Sequence, residues 1–146
     1  MEIFKAERRH LQIVTELAMR LWPGHEETEL AADLLESLER EEAAFFLAAE
    51  GSNALGFAQC QLRQDYVEGT HSSPVGYLEG IYVVPNSRRQ GIARELLHAC
   101  EEWAKEKGCR EFASDCELSN TQSLQFHLGL GFAEANRIIC FTKQLD

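Results

Sequence analysis

Arg88, Arg89, Gln90, Gly91, Ile92, Ala93 and Arg94 stand directly behind the apolar run Val75 to Val84 and open a stretch of helical periodicity. A strand that turns into a helix through a basic, glycine-containing loop aims free backbone N–H groups and the positive end of a helix dipole at one point, where an anion can sit. A pyrophosphate suits such a loop. A dinucleotide fold would need G-x-G-x-x-G with an acid about 20 positions on, and a Walker loop would need G-x-x-x-x-G-K-[ST]. Neither pattern is present. The plainer alternative is an ordinary strand-to-helix turn whose glycine relieves crowding.

Glu79 is the second residue that invites chemistry. A lone carboxylate within Val75-Gly-Tyr-Leu-Glu-Gly-Ile-Tyr-Val-Val is expensive to bury unpaired, so it must face a partner, a cleft or water. An ion pair with an arginine is its structural alternative. Asp115 closes a second short strand, where ligand groups gather in α/β sheets, although a turn or helix-cap aspartate would look the same.

Positioning these groups takes an ordered set of elements. Leu11, Val14, Leu17, Ala18 and Leu21 fall at helical spacing, which predicts a helix over 10–21 that Pro23-Gly24 ends. Acids at Glu26, Glu27 and Glu29 and the stripe Leu30, Leu34, Leu35, Leu38 predict a second helix over 26–41. Strands are expected over 45–49 and 54–62, joined by a tight turn at Gly51-Ser52-Asn53, and a nearly apolar, central strand over 75–84. The helix behind Gly91 carries Ile92, Leu96, Leu97, Cys100 and Trp103 on one side and stops at Gly108. A strand over 110–115 follows, then a helix opened by the capping box Ser119-x-x-Gln122 and running to Leu128, then a last strand over 137–141. This order describes an α/β sheet in which the phosphate loop lies at a crossover.

Composition narrows the task. The 146 residues suit a single domain, 1–146, and 45% hydrophobic residues exclude a disordered chain. No apolar stretch approaches the roughly 18 residues needed to span a bilayer, and the first residues lack the blocks of a signal peptide, so the expected location is the cytoplasm with no membrane partner. The five cysteines are odd in number, without C-x-x-C or zinc-like spacing, and read as reduced, mostly buried thiols with no metal. A net charge of -10 argues against nucleic acid and favours cationic substrates such as polyamines or aminosugars.

Arg88-x-x-Gly91-x-Ala93 resembles the acyl-CoA pyrophosphate loop of the GCN5-related N-acetyltransferases (GNAT). Leu21-Trp22-Pro23-Gly24-His25, Asp65-Tyr66-Val67-Glu68-Gly69, Ser72-Ser73-Pro74-Val75, Leu78-Glu79-Gly80-Ile81-Tyr82-Val83 and Phe112-Ala113-Ser114-Asp115 are similar, in order, to the aminoglycoside 6'-N-acetyltransferases of that superfamily. The resemblance runs from about residue 10 to residue 141. It implies the GNAT fold, a mixed central sheet flanked by helices in which two parallel strands, over 75–84 and 111–115, splay apart to admit the cofactor. It also implies acetyl-CoA as co-substrate, direct transfer to the 6'-amine of an aminoglycoside, antibiotic resistance, and a homodimer.

Carried over by matching positions, residues 88–94 would hold the CoA diphosphate, backbone N–H groups of Ile81, Tyr82 and Val83 the pantetheine and acetyl groups, and Asn120 the CoA arm. Trp22, His25, Tyr66, Glu79 and Asp115 would line the antibiotic pocket, with Glu79 accepting the amine proton through water. The wider family places a tyrosine acid four residues before the glycine of its last Gly-Phe; here that position is His127, a departure that leaves the acid open. Asn136 is neutral where the aminoglycoside branch often has an acid. Each residue has a plainer reading: Trp22 as a core cover, His25 as a solvated helix start, Tyr66 as a loop anchor, Asn120 as a cap, His127 as a helix-surface histidine. The competing functions are acetylation of a polyamine, small metabolite or protein amine, and a non-catalytic acyl-CoA sensor.

Overall fold

Five strands pair in the order in which they occur: β1 (Glu2–Lys5), β2 (Ala43–Glu50), β3 (Asn53–Arg63), β4 (Val75–Val83) and β5 (Phe112–Ala113). The computed structural model describes residues 1–146. β1 to β4 are antiparallel to their neighbours and β5 runs parallel to β4, so the sheet is mixed. A parallel pair needs a crossover, supplied here by α3 (Ile92–Glu106).

Alternation along β2 sorts the core into two layers. Phe45 and Leu47 pack with Val14, Leu17 and Ala18 of α1 (Leu11–Leu21) and with Leu30 and Leu34 of α2 (Glu27–Leu38). Ala44 and Ala48 face the opposite way, against Leu96, Leu97, Cys100 and Trp103 of α3. The small residues on this second side let the helix approach closely. The expected stripe of α3 is buried throughout, and the helix ends at Glu106, with Lys107 as its C-cap before Gly108, whose φ of +92° suits a glycine stop.

β4 contains the irregularity that matters most. Gln59 of β3 pairs with Gly80 and Cys60 with Leu78, so Glu79 is an extra residue in β4, a β-bulge. The bulge reverses the strand's alternation: Gly76 and Leu78 face α3 before it, and Ile81 and Val83 face α3 after it. Gly80 consequently faces α1, where Trp22 and Leu21 pack over it.

Several expectations need correction. No strand forms over 137–141; Gly129 ends α4 (Thr121–Gly129), and residues 133–146 carry no regular structure. A strand exists only through its neighbour's ladder, and this segment finds none in its own chain. Its polar contacts are side-chain bonds, Asn136 Nδ2 to Glu68 Oε1 at 2.6 Å and Arg137 to Glu134. The cap of α4 is Asn120, not Ser119: its Oδ1 accepts from the Ser123 N–H at 3.0 Å. α2 ends at Leu38, short of Glu41, and Glu26 is its N-cap, accepting from the Glu29 N–H at 2.9 Å. That bond holds the Glu26 carboxyl below its ordinary pKa. β5 is shorter than 110–115, which leaves Asp115 beyond the strand. β1, at four residues, is too short to show a period in the sequence. Cys60, Cys100 and Cys109 are buried, Cys116 and Cys140 exposed, and none is disulfide-bonded. No helix is long and apolar enough to cross a membrane.

Candidate active site

β4 and β5 stay together for two pairs, Gly76 with Phe112 and Tyr77 with Ala113, and then part. Backbone groups alternate between the two edges of a strand, so beyond Tyr77 the N–H and C=O groups of β4 aimed away from β3 face an open wedge. Glu79, Ile81, Tyr82 and Val83 all lie along this stretch. Its far end runs through a turn at Pro85–Ser87 into the Arg88–Gly91 loop and α3.

The start of α3 has the character of an anion site. Gly91 is its N-cap, in the left-handed region at φ +80°, and has no side chain to occupy the first-turn amides. Gly91 is exposed, and a Cβ on it would meet nothing within 4 Å. Arg89 also has a positive φ, +65°. The three arginines differ in what they do. Arg88 turns back, its Nε donating to the Val83 carbonyl at 2.7 Å with the guanidinium over the Tyr82 ring. Arg94 donates to the Gly129 carbonyl at the end of α4, at 2.8 Å. Arg89 is exposed, and none of the three forms an ion pair with a carboxylate.

On the α1 side of β4, the bulge presents Glu79. Its side chain is 21% exposed and both carboxylate oxygens accept from Nη2 of Arg63, at 3.1 and 3.2 Å. Arg63 ends β3, and its guanidinium carbon lies 3.4 Å above the centre of the Tyr77 ring. Tyr77, buried, donates its hydroxyl to Asp115. Burial first, and then the Asp115 carboxylate, push the Tyr77 hydroxyl well above its ordinary pKa. Glu79, Arg63, Tyr77 and Asp115 are thus one connected cluster.

Trp22 flanks this cluster. A Cβ on Gly80 would stand 2.5 Å from its ring, and its edge meets Phe57 at 6.2 Å between centroids. It covers the core and lies over Gly80, the residue after Glu79. Asn120 caps a helix. His25 is exposed on the turn before α2, and Tyr66, 75% exposed, lies on the loop between β3 and β4. Its hydroxyl accepts from the Gly69 N–H at 3.4 Å, in a hollow of about 470 Å³ lined also by Asp65, His71 and Ser72. The structure joins Glu79 and Asp115 through Arg63 and Tyr77 and sets Trp22 on the adjoining Gly80; His25 and Tyr66 form no hydrogen bond or ion pair with them.

His127 faces inward from α4. Its Nδ1 is 2.7 Å from the Ser123 carbonyl, which can only accept, so Nδ1 carries hydrogen. Nε2 lies 2.7 Å from the Ser114 hydroxyl and accepts from it when the ring is neutral. Ser114 follows β5 and reaches the Leu78 carbonyl at 3.5 Å, at the mouth of the wedge. Arg63, Tyr77 and Ser114 were missed as site residues. Tyr77 stands two residues before Glu79, a signal for a shared face; Ser114 stands inside the Phe112–Asp115 pattern, and Arg63 has no sequence signal, because only the sheet brings it in.

The sequence model of the acetyltransferase (GNAT) family matches residues 11–132. The aminoglycoside N(6')-acetyltransferase type 1 of Salmonella typhimurium is 43% identical over 144 residues, 99% of each chain. Its counterpart from Acinetobacter haemolyticus is 39% identical over 146 residues, 100% of each. Among solved structures, AAC(6')-Iy in complex with the bisubstrate analogue CoA-S-monomethyl-acetylneamine superposes with a TM-score of 0.94 at 42% identity, covering 99% of this chain and 98% of that one. The apo aminoglycoside 6'-N-acetyltransferase AAC(6')-IG of Acinetobacter haemolyticus gives 0.95 at 38% identity over the whole of both chains. The loop before α3, the wedge between β4 and β5 and this likeness from end to end lead to one kinship: the chain belongs to the acetyltransferase (GNAT) family.

Proposed function

We propose that the chain, as one domain, transfers the acetyl group of acetyl-CoA to the 6'-amine of aminoglycoside antibiotics and so confers resistance to them. The observation that carries this reading is the near full-length likeness to aminoglycoside 6'-N-acetyltransferases, supported by a splayed strand that carries Glu79 and leads into the uncapped start of α3.

The first-turn amides behind Gly91, which no side chain caps, fit a diphosphate, with Arg89 and the ends of Arg88 and Arg94 beside it. Acetyl-CoA supplies an activated thioester carbonyl. Amides among Ile81, Tyr82 and Val83 that face the wedge donate to the pantetheine and to the oxygen on which negative charge develops. Glu79 holds the acceptor's ammonium and takes its proton, directly or through water, since a protonated amine cannot attack. Asp115 and the Trp22 ring hold further parts of a polycationic sugar, with Tyr66 and His25 on the outer rim. His127 gives a proton to the leaving thiolate only in its imidazolium form; Ser114 then accepts from Nε2 and passes its own hydrogen on.

The net charge of -10 favours a polycationic acceptor over nucleic acid and is compatible with a cytoplasmic enzyme. The assembly in this reading is a homodimer, supported by the C-terminal stretch: Ile139 is 81% and Phe141 87% exposed in a segment of strand-like composition. Turnover of acetyl-CoA with tobramycin or kanamycin, followed by thiol release, against spermidine and peptide amines tests the function. Release with the antibiotics and acetylation at the 6' nitrogen are expected; release only with the other amines would overturn the reading.

A further inference from the structure

Glu79 is already occupied by a cation that belongs to the protein. The Arg63 guanidinium touches both carboxylate oxygens through one nitrogen and covers the face of Tyr77, whose hydroxyl is bonded to Asp115. A carboxylate below and an aromatic face beside is the arrangement that a substrate ammonium would itself require. We propose that Arg63 is a specificity-determining residue: a displaceable internal cation that competes with the acceptor for Glu79 and restricts the site to polycations. The inference rests on the acceptor reading above and deepens it.

Three features make the arginine displaceable. A single Nη2 serves both oxygens, in place of the parallel two-nitrogen fork that makes arginine–carboxylate pairs strong. Arg63 is 38% exposed at the side chain, so its head can return to water. It is also the last residue of β3, adjoining the long loop to β4. Displacing it exchanges one cation for another at Glu79, which brings a monoamine little net electrostatic gain. An acceptor with several ammonium groups gains further, because its other charges meet Asp115 and the acids of the 65–68 loop. A repulsive element against the wrong ligand is a recognised route to specificity.

The test compares the unsubstituted protein with Arg63→Met, which keeps an apolar stem over Tyr77, and with Arg63→Lys. Steady-state rates are measured with tobramycin and with a 6-amino-6-deoxy monosaccharide, and folding is checked by circular dichroism. For Arg63→Met the KM for both acceptors is expected to fall about fivefold or more, with the larger fall for the monoamine, so that the kcat/KM preference for tobramycin shrinks about tenfold. Arg63→Lys should stay close to the unsubstituted preference, since it retains the cation. If Arg63→Met misfolds, Arg63→Gln takes its place with the same expectation. A KM unchanged or raised, with kcat lost and restored by lysine, would make Arg63 a support that positions Glu79 and would overturn the proposal. Absence of antibiotic turnover by the unsubstituted protein instead removes the acceptor reading, and the inference with it.

Discussion

Glu79 combines partial burial, a neighbouring cation and a bulged backbone, and its assigned role is to take a proton from the acceptor. Glu79→Gln keeps the shape and loses the basicity. Loss of a general base typically costs about 10²–10⁴ in rate. The variant is therefore expected to lose at least about a hundredfold in kcat/KM for the acceptor, with the calorimetric affinity for CoA unchanged because the start of α3 lies beyond the far end of β4. A normal rate would remove the role. Tyr77 gives a pH prediction whose sign follows from its raised pKa. In the unfolded chain a tyrosine ionises near pH 10, and in the folded chain this one ionises higher, so above about pH 10 the unfolded state binds fewer protons and gains population. Its contribution to stability is complete below about pH 10 and is lost as the pH climbs through the folded value. The melting temperature should fall more steeply between pH 9 and 11 in the unsubstituted protein than in Tyr77→Phe; equal slopes would contradict the assignment.

Elements aim these side chains. The bulge in β4 is what allows an acid and a glycine to face the same side in succession, Glu79 toward Arg63 and Gly80 under Trp22. Gly80→Ala would set a methyl 2.5 Å from the indole and 3.0 Å from Leu21. Overpacking of this kind costs about 1–3 kcal/mol. The expected result is a midpoint of denaturation lowered accordingly, with acceptor turnover reduced and CoA binding retained, since α3 packs on the opposite face. Unaltered turnover at full occupancy of CoA would show that the Trp22 wall has no part in acceptor binding.

At the scale of the whole molecule, the C-terminal stretch leaves large apolar side chains exposed. Ile138, Ile139, Phe141 and Leu145 are between 63% and 87% exposed, an arrangement more suited to a covered surface than to water. Light scattering behind size exclusion should give about twice the 16.5 kDa of one chain. Removal of residues 137–146 should give the monomer mass; a dimer persisting after truncation would place the interface elsewhere. The residues just before this stretch touch the loop that carries Tyr66, through Asn136 on Glu68 and Ala135 against Gly69, and the Arg137 N–H holds Asn136 Oδ1, so truncation, which removes that bond, is expected to raise the KM for aminoglycoside.

Much of this was legible in the order of residues. Helical stripes, the apolar centre of β4 and the glycine stop of α3 are local patterns, because a helix or a central strand states its own periodicity. The Arg88–Ala93 loop is equally local: its chemistry comes from consecutive amides. Tertiary structure decided the rest, since it depended on segments distant in the chain. A bulge exists only relative to β3, so the facing of Glu79 and Gly80 could not be read from β4 alone. Arg63 reaches Glu79, Tyr77 reaches Asp115 and His127 reaches Ser114 only after the sheet and α4 have closed around them. The stretch over 137–141 marks the same boundary from the other side: its composition suits a strand, but a strand needs a neighbour's hydrogen bonds, and within one chain no neighbour is there to provide them.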